Sequence, residues 1–128
     1  MSAASDYLEN KVLDHVLKVA SFTQPAALYI ALYTAAPSDA GGGTEVSGGS
    51  YARQALTFSA ASAGTSTSSA TVTFPTATAS WGTIGWIGIF DANTSGNLLF
   101  HGATTAAKTI DTGDTFQISA GNLTISLA

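Results

Sequence analysis

The residues with the most suggestive spacing are Asp91, Asn93, Ser95 and Gly96, within the run DANTSG. Oxygen-bearing side chains at the first, third and fifth positions, followed by glycine, match the opening half of a calcium loop of EF-hand type, where alternate side chains converge on one hard cation. Such a loop needs a bidentate acid at its twelfth position, and that position is Gly102. Its flanks also alternate like strands, not like the helices that frame such a loop. The run therefore reads as an Asx-rich hairpin turn closed by its own side chains.

No other grouping goes further. His15 and His101 are the only histidines, and neither has a second His at metal-ligand spacing. Cysteine is absent, which removes thiolate sites and disulfides together. No G-x-S-x-G elbow presents a serine nucleophile. Gly41, Gly42 and Gly43 invite a phosphate-loop reading, but no GK[ST] follows and no lysine stands nearby. Asp111 and Asp114 bracket a glycine, a spacing that suits turn hydrogen bonds better than paired carboxylate chemistry. Of the aromatic side chains able to stack on a sugar, Trp86 falls on a core face by periodicity and Trp81 is the one expected to be exposed. The expectation is a chain that is not an enzyme, with no catalytic residue, no metal and no cofactor.

Composition narrows the partners. Charged residues make up 9% of the chain, against about 25% in ordinary domains. The net charge is −4, and Lys11, Lys18, Arg53 and Lys108 are the only basic side chains. These are too few to track a phosphate backbone, so nucleic acid is not an expected partner. No run approaches the ~20 apolar residues of a membrane span, and MSAASDYLEN lacks the basic and apolar regions of a secretory signal. Sparse charge fits a surface covered by neighbouring subunits, and fits equally a β-protein decorated with Ser and Thr.

The positioning elements follow from hydrophobic period. Leu8, Val12, Leu13, Val16 and Leu17 recur at helical spacing and predict a helix over residues 5–20, its apolar stripe packed on a sheet or, failing that, docked on a partner. Leu28, Ile30 and Leu32 alternate with Tyr29, Ala31 and Tyr33 as in a strand, and Tyr51–Ser59 alternates likewise. The hub is WGTIGWIGIFDANTSGNLLF, residues Trp81–Phe100, a hairpin whose first strand is apolar on both faces and should be covered on both sides. Short strands at Thr71–Phe74, Lys108–Ile110, Thr115–Ser119 and Leu123–Leu127 complete about seven to nine strands, the cadence of an antiparallel β-sandwich or jelly roll. The 128 residues are one domain, with the sandwich over residues 27–128. Between strands, residues 35–50 form a glycine-rich loop long enough to serve as a contact arm. Its candidate partner-contact residues are Asp39, Gly41, Gly42, Gly43, Glu45 and Val46, joined by Tyr51 and by Arg53 as an interface anchor. Met1–Asp6 would be a second arm. Deleting Gly41–Gly49 is expected to leave the domain folded and weaken its attachment.

Three segments carry a resemblance: SDYLENKVLDHVL with YIALYTAAPSDAGGGTEVSGGSYARQ, then WIGIFDANTSGNLLFHG, then KTIDTGDTFQISAGNLTISL. Together they resemble a family of small structural proteins of tailed-phage virions, and the likeness runs in order over nearly the whole chain. It implies a β-rich, homo-oligomeric, non-enzymatic component of the virion, assembled in the host cytoplasm. Because the chain is one short domain without a repeat shaft, the expected role is a capsid decoration (cement) protein on the capsid exterior. As a homotrimer it would clamp neighbouring copies of the major capsid protein, or it would bind another virion protein. The alternative is a tail or head fibre component that attaches to a host surface.

Overall fold

The computed structural model describes residues 3–127. Its elements in chain order are β1 (Ala3–Ala4), α1 (Asp6–Val16), β2 (Leu28–Ala35), β3 (Thr44–Glu45), β4 (Gln54–Leu56), β5 (Thr65–Thr67), β6 (Val72–Thr73), β7 (Gly82–Phe90), β8 (Leu98–Ile110), β9 (Gln117–Ile118) and β10 (Thr124–Ser126). The larger sheet is antiparallel in the order β1-β8-β7-β2-β3, with β4 sharing the outer edge of β2. Two small antiparallel ladders, β10-β5 and β6-β9, lie across its inner face. This is the antiparallel β-sandwich with one N-terminal helix that the sequence predicts.

The alternation of β2 and β7 explains the layering. Ile30 and Leu32 of β2, with Ile87 and Ile89 of β7, point into the main core. There they meet Phe74, Phe116 and Ile125 from the small ladders and their flanks. The opposite residues, Ala31, Tyr33 and Phe90, form a second cluster with Leu98, against which Trp86 packs. The hub strand is thus covered on both faces, as its apolar pattern demands.

One detail inverts the expectation for the tryptophans. Ile84 and Trp86 do not share a face, because the β7–β8 register jumps from Ile84↔Lys108 to Trp86↔Ala103. The extra residues of β8 bulge opposite Gly85, where Thr104 Oγ1 donates to the Gly85 carbonyl at 3.1 Å. Alternation breaks at Gly85 in β7 as well: Ile84 faces the main core with Ile87 and Ile89, while Trp86 lies half-buried on the outer face with Phe90. Trp81, expected outside, is 4% exposed. It packs edge-on to Tyr51 and Phe74 at 5.4 and 6.4 Å and donates from Nε1 to the Gly49 carbonyl at 2.9 Å.

Other boundaries differ too. The run predicted as Tyr51–Ser59 pairs as a strand only over Gln54–Leu56, while Leu98–Ile110 is one long strand and not two short ones. The helix ends at Val16: Leu17 and Val19 donate backward to Leu13 and Asp14, and Lys18 takes the left-handed conformation at φ 68°. The expected packing of its apolar stripe on the sheet holds only at the start of the helix. Leu8 is buried, but Leu13, Val16 and Leu17 are 55%, 70% and 68% exposed. The cause is how the helix is held. Ser5 N donates to Leu99 O, Ser5 Oγ donates to Leu98 O and accepts from Leu8 N, and Asp6 N donates to Asp39 O. All of these anchor the first turn, and the later turns stand clear of the sheet.

Candidate interaction surface

The glycine-rich segment is built into the fold. Its entry is a tight turn in which Ser38 and Gly41 exchange backbone hydrogen bonds of 2.8 and 2.9 Å. Gly43 sits at φ +74°, and a Cβ there would come within 2.7 Å of Ala35 O and Pro37 N, so only glycine fits. Beyond it, β3 pairs with the end of β2, and Val46 donates from its backbone to Leu32 O at 2.9 Å while its side chain enters the core. Gly41 and Gly42 remain on the outside, with open space around them.

Around Leu32 the outer edge of β2 has no strand partner, because β4 pairs with residues 28–30 and β3 with residues 33–35. Tyr51 fills the gap. Its hydroxyl accepts from Leu32 N at 3.0 Å and donates to Glu45 Oε2 at 2.7 Å. Arg53 grips the same carboxylate with two bonds, Nε to Oε2 at 2.9 Å and Nη2 to Oε1 at 2.8 Å. Its Nη1 donates to the carbonyls of Ala92 and Ser95, and the guanidinium lies 3.7 Å over the Phe90 ring. One arginine therefore ties the glycine-rich segment to the DANTSG turn. The fork geometry of guanidinium is what makes this possible.

Electrostatics follow the geometry. Burial pushes the Glu45 carboxyl up, but hydrogen bonds from Arg53 and Tyr51 and the Arg53 charge outweigh it and leave its pKa lowered. The bond to Glu45 raises Arg53 further, against the opposing effect of burial. Burial, with the Glu45 charge, pushes Tyr33 up to about 12, and burial pushes Tyr51 up as well. The DANTSG turn closes on itself: Asp91 Oδ1 accepts from Asn97 N at 2.7 Å and Oδ2 from Asn97 Nδ2 at 2.9 Å. Burial is the largest single effect and opposes these bonds, yet together with the backbone N–H of Asp91 they outweigh it and hold the Asp91 pKa below its ordinary value. This is the Asx-closed turn that the sequence predicts.

The candidate contact residues thus divide. Glu45, Val46, Tyr51 and Arg53 spend their side chains inside the fold, while Asp39, Gly41, Gly42 and Gly43 reach the surface, Gly43 with one side against the backbone of residues 35–37. Asp39 Oδ1 lies 2.8 Å from His101 Nε2 and shares an exposed acidic group with Asp6 and Glu9. Sequence reasoning did not join these, because β1 pairing with β8 is what brings the helix start beside His101. Of the second arm, Ala3–Ala4 pairs with β8, and Met1 and Ser2 lie outside the described residues.

Fold and network together define a compact β-module in which ion pair, tyrosine hydroxyl and turn carboxylate all lock loops onto one sheet. A family model described as Podophage GP4 fiber I protein gp80 matches residues 3–126, and the chain belongs to that family. It is a bacteriophage structural protein and a component of the virion. A search of curated proteins finds no match.

Proposed function

We propose that the protein is a fibre subunit of the virion, a non-enzymatic module that works by contact with further copies of itself and with neighbouring virion proteins. The observation that carries this reading is the family match over residues 3–126, which takes in every element from β1 to β10. The family's description names a fibre, and so supports that role over the capsid decoration expected from chain length. The absence of a repeat shaft within the chain is no obstacle, since a short module extends when copies stack on one another. The locked loops suit such a role: a module that transmits force gains from surfaces already ordered before contact, because ordering them on binding costs affinity. Labelling purified particles with an antibody to this chain, viewed by electron microscopy, tests the reading. Label confined to fibres supports it; label spread over the whole head overturns it in favour of decoration.

A further inference from the structure

Among the described residues, the large apolar side chains left more than half exposed are Leu13, Val16, Leu17, Val19 and Leu127. The first four lie together. Leu13, Val16 and Leu17 share one face of α1 at three- and four-residue spacing, and Val19 follows in the turn that ends the helix. Leu127 lies elsewhere, on the rim of a cleft of about 320 Å³ between the larger sheet and the β10-β5 ladder. Leu28, Phe58, Ala61, Ile89, Leu99, Phe100 and Ile125 form the rest of its apolar lining, and no ionisable side chain lines it. One chain thus carries an apolar ridge and an apolar groove.

The ridge does not reach the groove of its own chain as the helix is held. The first turn is fixed to Leu98, Leu99 and Asp39. The far end is equally fixed: Val19 and Ala20 donate to Asp14 O, and Phe22 N donates to His15 Nδ1 at 3.1 Å. A capped helix with its leucines turned to water is an ordered surface awaiting cover. Four such side chains offer on the order of 400 Å² of apolar area, about half of what each partner contributes to a stable interface. The geometry points to a second copy of this chain as the partner, with the α1 ridge of one copy seated in the cleft of the next. The groove without charge accepts a ridge whose flanking Asp14 and Lys18 stay at the solvent rim, so no ion is buried unpaired. Ridge and groove are different surfaces, so the contact is head-to-tail and repeats from copy to copy as a ring or a filament. Its role as a fibre contact rests on the fibre reading above, but the contact itself stands or falls separately.

Sedimentation velocity of the purified chain over a range of concentrations tests it. The wild type is expected to form species larger than a dimer as concentration rises. Leu17→Asp spoils the ridge and leaves the cleft intact; Ala61→Glu with Leu127→Glu spoils the cleft and leaves the ridge intact. All three positions are exposed, so each variant is expected to fold. Each alone should be monomeric, and an equal mixture should form a dimer that grows no further. A monomeric wild type at high concentration overturns the proposal, as does a cleft variant that associates like the wild type. Folded variants, by circular dichroism, that form no dimer on mixing also overturn it. Should Leu17→Asp fail to fold, the milder Leu17→Ser is read in the same way. Any of these results leaves the fibre reading intact while antibody label stays on fibres.

Discussion

Arg53 shows what a single residue does in this molecule. The sequence marks it as the lone arginine, and a lone arginine in a charge-poor chain invites an interface role. The structure instead gives its donors to Glu45 and to carbonyls about forty residues away, contacts that no local pattern encodes. Its side chain is 8% exposed and that of Glu45 26%, so this pair is shielded enough to matter. Glu45→Gln removes the charge and leaves the guanidinium buried over Phe90 without its counter-ion. We expect a loss of about 3 kcal/mol at pH 7, read from urea unfolding. The pH dependence has a fixed sign. The folded Glu45 pKa lies below its ordinary value, so the pair's contribution is fully present above about pH 4.3, the unfolded carboxylate value. It is lost as pH falls through the folded value. Between pH 7 and pH 3 the wild type should therefore lose more stability than Glu45→Gln, with Asp91 adding an acid-sensitive contribution of the same sign to both. Parallel stability profiles for the two proteins would show that the pair is energetically idle.

Among elements, what was legible in the sequence is what depends on local period. The strand alternation of Leu28–Ala35, the two-sided hub strand and the self-closed turn at Asp91–Asn97 all form where the pattern places them. What escaped depends on partners distant in sequence. The irregularity at Gly85 puts Ile84 on the face of Ile87 and Ile89 and leaves Trp86 with Phe90, and it lies where β8 carries extra residues that a single-strand pattern cannot reveal. The glycine-rich segment looked like a free arm because glycine signals mobility only when nothing pins it. Here Val46 enters the core, Glu45 holds Arg53, and Gly49 O receives both Trp81 Nε1 and Thr78 N. Deleting Gly41–Gly49 should therefore unfold the isolated chain instead of merely weakening attachment, since it removes a core side chain and strands several buried donors. A thermal melt by circular dichroism decides the matter. A cooperative transition within a few degrees of the wild type would restore the free-arm reading.

At the scale of the whole molecule, stability should be unevenly spread. β7 is paired along both edges, by β2 and β8, and β2 is paired by β7 on one side and by β4, β3 and the Tyr51 hydroxyl on the other. Ile30, Leu32, Ile87 and Ile89 lie at the centre of that lattice, at most 5% exposed. The ladders β10-β5 and β6-β9 have two strands each, a size that is marginal without the sheet beneath them. Amide hydrogen exchange should follow this order. The slowest amides are expected in β2 and β7, opening only with global unfolding. Those of the small ladders should exchange faster, through opening of one layer, and those of residues 23–27 fastest. Equal protection in the small ladders and the central strands would mean that the two layers open as one unit. Concentration adds a second comparison within the same experiment. If copies meet ridge to groove, raising the protein concentration should slow exchange at the end of α1 and in Thr124–Leu127 together, and β7 should slow as well, because association stabilises the folded state against global unfolding. Slowing at the end of α1 with no local protection of Thr124–Leu127 would indicate that helices pair with helices, a symmetric contact that closes at two copies and cannot lengthen a fibre.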